Sequence, residues 1–142
     1  MLGDLVTDFS PAAGVVVVDA SVMVDALTMP SETTLRAALA RHRLHAPALL
    51  DYEVLSAMRG LVRAGAINEV RAGEALTDYT DLPIRKSQAD AEQRERIWSL
   101  RHNLTPNDAA YVALASRLDC PLWTRDAKLI AGAGATARVV LV

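Results

Sequence analysis

Four acidic residues stand out by their placement. Asp19 follows the run VVVV at 15–18, Glu53 lies in PALLDYEVLSAM, Asp108 in TPNDAAYVALA and Asp126 in LWTRDAKL. Carboxylates that gather without a cation repel one another, and at least one is pushed toward its protonated form. An all-oxygen set suits a hard divalent ion such as Mg²⁺ or Mn²⁺ rather than zinc. Such an ion activates water and stabilises the charge that builds during in-line displacement at phosphorus. If the four acids meet in one cleft, the chemistry they suggest is phosphodiester hydrolysis.

Each acid has a plainer use as well. Asp19 and Asp126 precede expected helices and can cap them. Asp108 falls in the first turn after Thr105-Pro106, where a negative charge suits the helix dipole. Glu53 is harder to place in that way. At 100° per residue, Leu50, Val54, Ala57 and Leu61 form one apolar stripe with Glu53 on its flank. Tyr52, Arg59 and Arg63 point the other way, and Asp51 lies on a different flank. Asp108 likewise shares its half of a helix with Tyr111, Val112 and Ala115. A carboxylate facing a core is costly unless paired with a charge or a metal. No lysine or arginine shares those inner faces in the sequence.

The elements that must position these acids alternate. A β-branched run at 15–19 reads as a strand buried on both faces. A short helix follows at 21–28, then one from Ser31, a plausible N-cap, to about residue 42. RLHAP at 43–47 reads as an extended link, with Pro47 suited to the first turn of a helix that ends near Gly65. A further helix covers 68–80, a short strand 81–86 and a helix 88–102. Thr105 as N-cap and Pro106 at N1 open a helix to 118. CPLWT at 120–124 is a strand, 125–133 a short helix and 137–142 the closing strand. Strands alternating with helices, without hairpin turn pairs, indicate an α/β sandwich around a parallel sheet. Ligands bind such sheets beyond the carboxyl ends of the strands, where Asp19 and Asp126 fall.

Composition narrows the classes. With 142 residues and 51% apolar content the chain has room for one full core. Its net charge of −2 gives no global positive field to advertise nucleic-acid binding, although a local basic surface stays possible. One cysteine excludes a disulfide framework and a cysteine zinc site. The first residues lack the basic start and apolar stretch of a signal peptide, and no apolar run nears the roughly 20 residues of a membrane helix. The expectation is a cytoplasmic protein with no membrane partner.

VVVVDASVMVDAL, HAPALLDYEVLSAM, LTPNDAAYVALA and LWTRDAKL together resemble the four motifs of PIN-domain ribonucleases, and most nearly those of the VapC toxins of type II toxin–antitoxin systems. The likeness runs from Val15 onward, leaving 1–14 as an N-terminal extension and 15–142 as the PIN domain. It implies a PIN-like three-layer sandwich, with a mainly parallel sheet of four to five strands flanked by helices. It further implies an endoribonuclease dependent on one or two Mg²⁺ or Mn²⁺ ions. Asp19, Glu53, Asp108 and Asp126 would be its catalytic and metal-holding acids, with Ser21 and Thr124 orienting Asp19 and Asp126. A VapB-type antitoxin would inhibit it, and a homodimer would form through the apolar helices 32–42 and 47–64. Arg125 and Lys128, which flank Asp126, are candidates for RNA phosphate contacts.

Rival functions remain open in the sequence. One is a PIN nuclease of RNA processing or repair without an antitoxin. Another is a phosphoacceptor signalling domain, which would need a lysine after the penultimate strand and would leave Glu53 without a role. A third is a binding module in which the acids are structural. His42 and His45 straddle a helix end, so a shared metal is not expected, and His102 reads as ordinary. Cys120 reads as a small buried hydrophobe, and Trp98 and Trp123 as packing residues.

Overall fold

The computed structural model describes residues 14–142, so the expected extension lies outside the described residues except for Gly14. Five strands are present among the described residues: β1 (Val15–Val18), β2 (Arg43–Pro47), β3 (Ile84–Ser87), β4 (Leu122–Thr124) and β5 (Val139–Leu141). They form one sheet in the order β3-β2-β1-β4-β5, and every pairing is parallel. The chain walks outward from β1 to β3, returns past β1 to β4, and walks outward again to β5. The direction of travel reverses between β1 and β4, so the carboxyl ends of these two strands flank the switch point where such sheets bind ligands.

Among the described residues seven helices flank the sheet: α1 (Ala20–Thr28), α2 (Thr33–Ala40), α3 (Leu50–Arg63), α4 (Glu69–Asp81), α5 (Ala91–Ser99), α6 (Pro106–Leu118) and α7 (Lys128–Ala133). They pack among themselves in two groups, α1 to α4 and α5 to α7. Val16, Val17 and Val18 are at most 1% exposed, as a central strand covered on both faces requires. α6 fills the middle of its layer with Ala109, Tyr111, Val112 and Ala115, against β1, β2 and β4.

Several boundaries differ from those the sequence suggests. RLHAP is no link but β2, between β1 and β3, with Leu44 and Ala46 turned into the core. Pro47 ends that strand opposite Ser87 instead of opening a helix, and α3 starts at Leu50. The Ala48 amide carries the bond to the Ser87 carbonyl and the pairing with β1 stops at His45, so Pro47 withholds no ladder donor. Ser31 does not cap α2. Glu32 holds the N-cap position without a side-chain cap bond, because its carboxylate is bound to Arg125. The helix expected over 88–102 is shorter and is capped by Asp90, which accepts from the Gln93 amide. α2 turns Leu35 and Leu39 inward, so its apolar side is used within the fold. Trp98 is not a packing residue: it is 67% exposed, with the Arg101 guanidinium 4.5 Å from its ring centroid. Trp123 packs edge-on against His42, and Cys120 is buried as expected.

Candidate active site

The four valines of β1 deliver the chain onto Asp19, which is 7% exposed and sits at the N-cap of α1. Its extended backbone (φ −99°, ψ 176°) turns the carboxylate back toward the first helical turn, where Oδ1 accepts from the Val22 amide at 3.1 Å. Oδ1 also accepts from the Ser21 hydroxyl at 2.6 Å, and Oδ2 accepts from the Thr124 hydroxyl at the end of β4. Capping and site therefore coincide in one side chain. A carboxylate offers about four acceptor positions; the described residues fill three of them, and the fourth belongs to Oδ2.

Thr124 is fully buried and works in two directions. Its hydroxyl donates to Asp19 and accepts from the Asp126 amide at 3.0 Å. Asp126 Oδ1 in turn accepts from the Lys128 amide at 3.0 Å, which sets the entry to α7. Arg125 donates its own amide to Ser21 Oγ at 3.0 Å. The β4–α7 turn is thus stitched to the β1–α1 turn across the switch point.

Glu53 and Asp108 arrive from the helices and are half-buried. Burial pushes the Glu53 carboxyl above the ordinary carboxylate range, and the charges of Asp108 and Asp19 push the same way. The Tyr111 hydroxyl, which donates to Oε1, and the Asn107 side chain pull it back in part. Asp108 is also raised, by burial first and then by Asp126 and Asp19, with Thr105 and Lys128 opposing. Glu53 therefore feels Asp108 and Asp19, and Asp108 feels Asp19 and Asp126, which links the four acids through shared neighbours. Among the described residues none of the four forms an ion pair with lysine or arginine.

The donor set fits a hard divalent cation in type: all oxygen, net negative, and with an unfilled acceptor position on buried Asp19. As placed, no three histidine, cysteine, aspartate or glutamate side chains among the described residues close around a single point. A cavity of about 660 Å³ lined by Met23, Leu27, Leu39, Leu44 and Leu82 opens at the amino-terminal ends of the strands and includes none of the four acids.

The PIN domain family matches residues 16–134. Ribonuclease VapC1 of Mycobacterium tuberculosis is 41% identical over 128 residues, spanning 89% of this chain and 96% of that protein. The chain belongs to the VapC ribonucleases of the PIN-domain family. Ribonuclease VapC3 of the same organism is 40% identical over 116 residues, 80% of this chain and 84% of that protein. The crystal structure of VapBC2 from Rickettsia felis, bound to a DNA fragment from their promoter, superposes with a TM-score of 0.61. It covers 89% of this chain and 98% of that one, and at 13% identity the likeness speaks to the fold.

Within this VapC frame, two contributors were not singled out from the sequence. Tyr111 donates to Glu53, and Asn107, four residues earlier on the same face of α6, helps to lower the Glu53 pKa. A tyrosine inside an otherwise apolar stripe was the available signal, since a buried phenol hydroxyl needs a partner. Of the two basic candidates, Lys128 is exposed beside the cluster, whereas the Arg125 guanidinium is bound to Glu32 and Asp25. Asp51, on its separate flank, pairs with Lys86 at 2.8 Å and accepts from Tyr79 at 2.7 Å.

Proposed function

We propose that this chain is a VapC-type endoribonuclease toxin that hydrolyses RNA phosphodiester bonds in the cytoplasm. It does so with one or two Mg²⁺ or Mn²⁺ ions and is held inactive by a VapB-type antitoxin. The observation that carries the proposal is Asp19, a buried carboxylate at the switch point with three organised hydrogen bonds, no cationic partner among the described residues, Glu53 and Asp108 in electrostatic reach, and Asp126 tied to it through Thr124.

Asp19, Asp108, Glu53 and Asp126 are the residues that would hold the ions. When bound, a divalent ion supplies an activated water and offsets the negative charge that develops at phosphorus. The chain's own contribution is orientation. Ser21, Val22 and Thr124 fix the plane of the Asp19 carboxylate, and Thr124 also fixes the Asp126 backbone. Tyr111 donates to Glu53 Oε1 and so orients this carboxyl among the other acids. Lys128 is exposed beside the acids, which supports a contact with an RNA phosphate.

The VapBC2 complex named above supports an antitoxin partner, and the exposed Tyr52 and Leu55 of α3 support a homodimer contact. Among the described residues no helix is long and apolar enough to cross a membrane. Incubating the purified protein with total RNA, in Mn²⁺, in Mg²⁺ or in EDTA, tests the activity. New 5′-phosphate ends at discrete positions, lost in EDTA and in Asp19→Asn, are the expected outcome. Intact RNA in both metals would reject the nuclease, and EDTA-resistant cleavage would reject the metal.

A further inference from the structure

Arg125 lies between Thr124 and Asp126, yet its charge is spent outside the acid cluster. Its guanidinium meets Glu32 as a two-pronged fork, Nη1 to Oε1 at 3.0 Å and Nη2 to Oε2 at 2.6 Å. Nη1 also lies 3.3 Å from Asp25 Oδ2 of α1. The Nε is fully buried and has no hydrogen-bond partner among the described residues. Leaving a buried donor unmatched is unfavourable, so the fork, and not the Nε, sets where this side chain rests. Its backbone amide meanwhile grips Ser21, whose hydroxyl donates to Asp19. One residue is therefore fastened to α1 at two points, and to the α2 entrance at a third.

We propose that the Asp25–Arg125–Glu32 clamp makes Arg125 a positioning residue. It pins the 124–126 turn onto α1, holding the Thr124 hydroxyl and the Asp126 carboxylate in register with Asp19, and so strengthens divalent-ion binding by the cluster. The inference rests on the nuclease reading above and assigns Arg125 no contact with RNA. Planar bidentate pairing explains why arginine serves here: a lysine ammonium cannot meet both Glu32 oxygens in a fixed fork.

Manganese titration calorimetry on the RNA-free protein tests the clamp, together with amide exchange at Asp126 and single-turnover cleavage. The variants are Arg125→Gln, Glu32→Gln and the double substitution. Each single change should weaken Mn²⁺ binding by about tenfold, as loss of a ligand-orienting contact does. Each should also speed exchange at the Asp126 amide and leave the KM for RNA unchanged, and the double variant should be no worse than Arg125→Gln alone. If Glu32→Gln binds Mn²⁺ like the wild type while Arg125→Gln raises KM, Arg125 is a phosphate contact and the clamp is overturned. If the wild type neither binds Mn²⁺ nor cleaves RNA, the nuclease reading itself falls and the clamp proposal with it. If Arg125→Gln fails to fold, Glu32→Gln and Asp25→Asn, at partly exposed positions, carry the same test.

Discussion

Replacing Thr124 with valine removes one oxygen from a site that is fully buried and keeps the shape. The hydroxyl donates to the Asp19 carboxylate and accepts from the Asp126 amide, so two partners are orphaned at once. A hydrogen bond to a charged group contributes about 1.5–3 kcal/mol, and the orphaned amide in a half-buried turn adds about 1. The extra buried methyl returns about 0.8 kcal/mol. The net loss is about 2–3 kcal/mol, or about 8 °C in Tm at roughly 3–4 °C per kcal/mol for a chain of this size. Metal-free thermal melts should show that loss for Thr124→Val. Thr124→Ser, which keeps the hydroxyl and loses only a methyl, should fall by about half as much. Cleavage should track the hydroxyl as well, with serine active and valine slowed by at least about tenfold. A Thr124→Val protein as stable and as active as the wild type would show that Asp19 does not depend on this bond.

Asp19→Asn preserves an N-cap of equal quality but removes the charge. Mn²⁺ at a hundred times its dissociation constant should stabilise the wild type by about 2.7 kcal/mol and this variant not at all; an undiminished shift would exclude Asp19 as a ligand. Asp108→Asn should lose cleavage together with Mn²⁺ stabilisation, and loss of one without the other would separate the two roles. The raised carboxyls of Glu53 and Asp108 bind protons more tightly folded than unfolded. Their contribution to metal-free stability must therefore fall as pH rises through the window just above the ordinary carboxylate pKa of about 4. His45, lowered mainly by burial, destabilises the fold as pH falls below about 6.5. The measurement is thus the difference between wild type and Glu53→Gln, which should lose part of the gain on acidification, and a parallel pair of curves would contradict it. Asp51→Asn should cost about 1 kcal/mol in a urea melt through its half-exposed contacts with Lys86 and Tyr79, yet leave cleavage intact. A loss of activity there would place Asp51 in the site.

The parts of the fold that were legible in the sequence carry their own periodicity or caps. The valine run declared a central strand, and Thr105-Pro106 declared the start of α6, which the Thr105 hydroxyl caps through the Asp108 amide. β2 was obscure because Arg43 and His45 interrupt a segment only five residues long, and what makes it a strand is the presence of β1 and β3 on either side. The α2 start was misjudged because Glu32 answers to Arg125, 93 residues away. Among the candidate site residues, the acids could be picked out from strand ends and helix faces. The bonds that organise them could not. Tyr111 reaches Glu53 across 58 positions, and Arg125 looked like a surface cation because nothing near it in sequence foretells the fork with Glu32.

The bond from Thr124 to Asp19 spans 105 positions, and it joins strands that are neighbours in the sheet but lie near opposite ends of the chain. Contacts of such long sequence separation carry a large loop-closure cost and tend to form late. During synthesis β1, α1 and the helices up to α6 can begin to gather while β4 is still unmade. Asp19 then has its cap and its serine, but neither Thr124 nor Asp126. A chain without β4 therefore lacks both the hydroxyl that fixes Asp19 and the Asp126 carboxylate, and on the proposed reading such a chain would not cleave RNA.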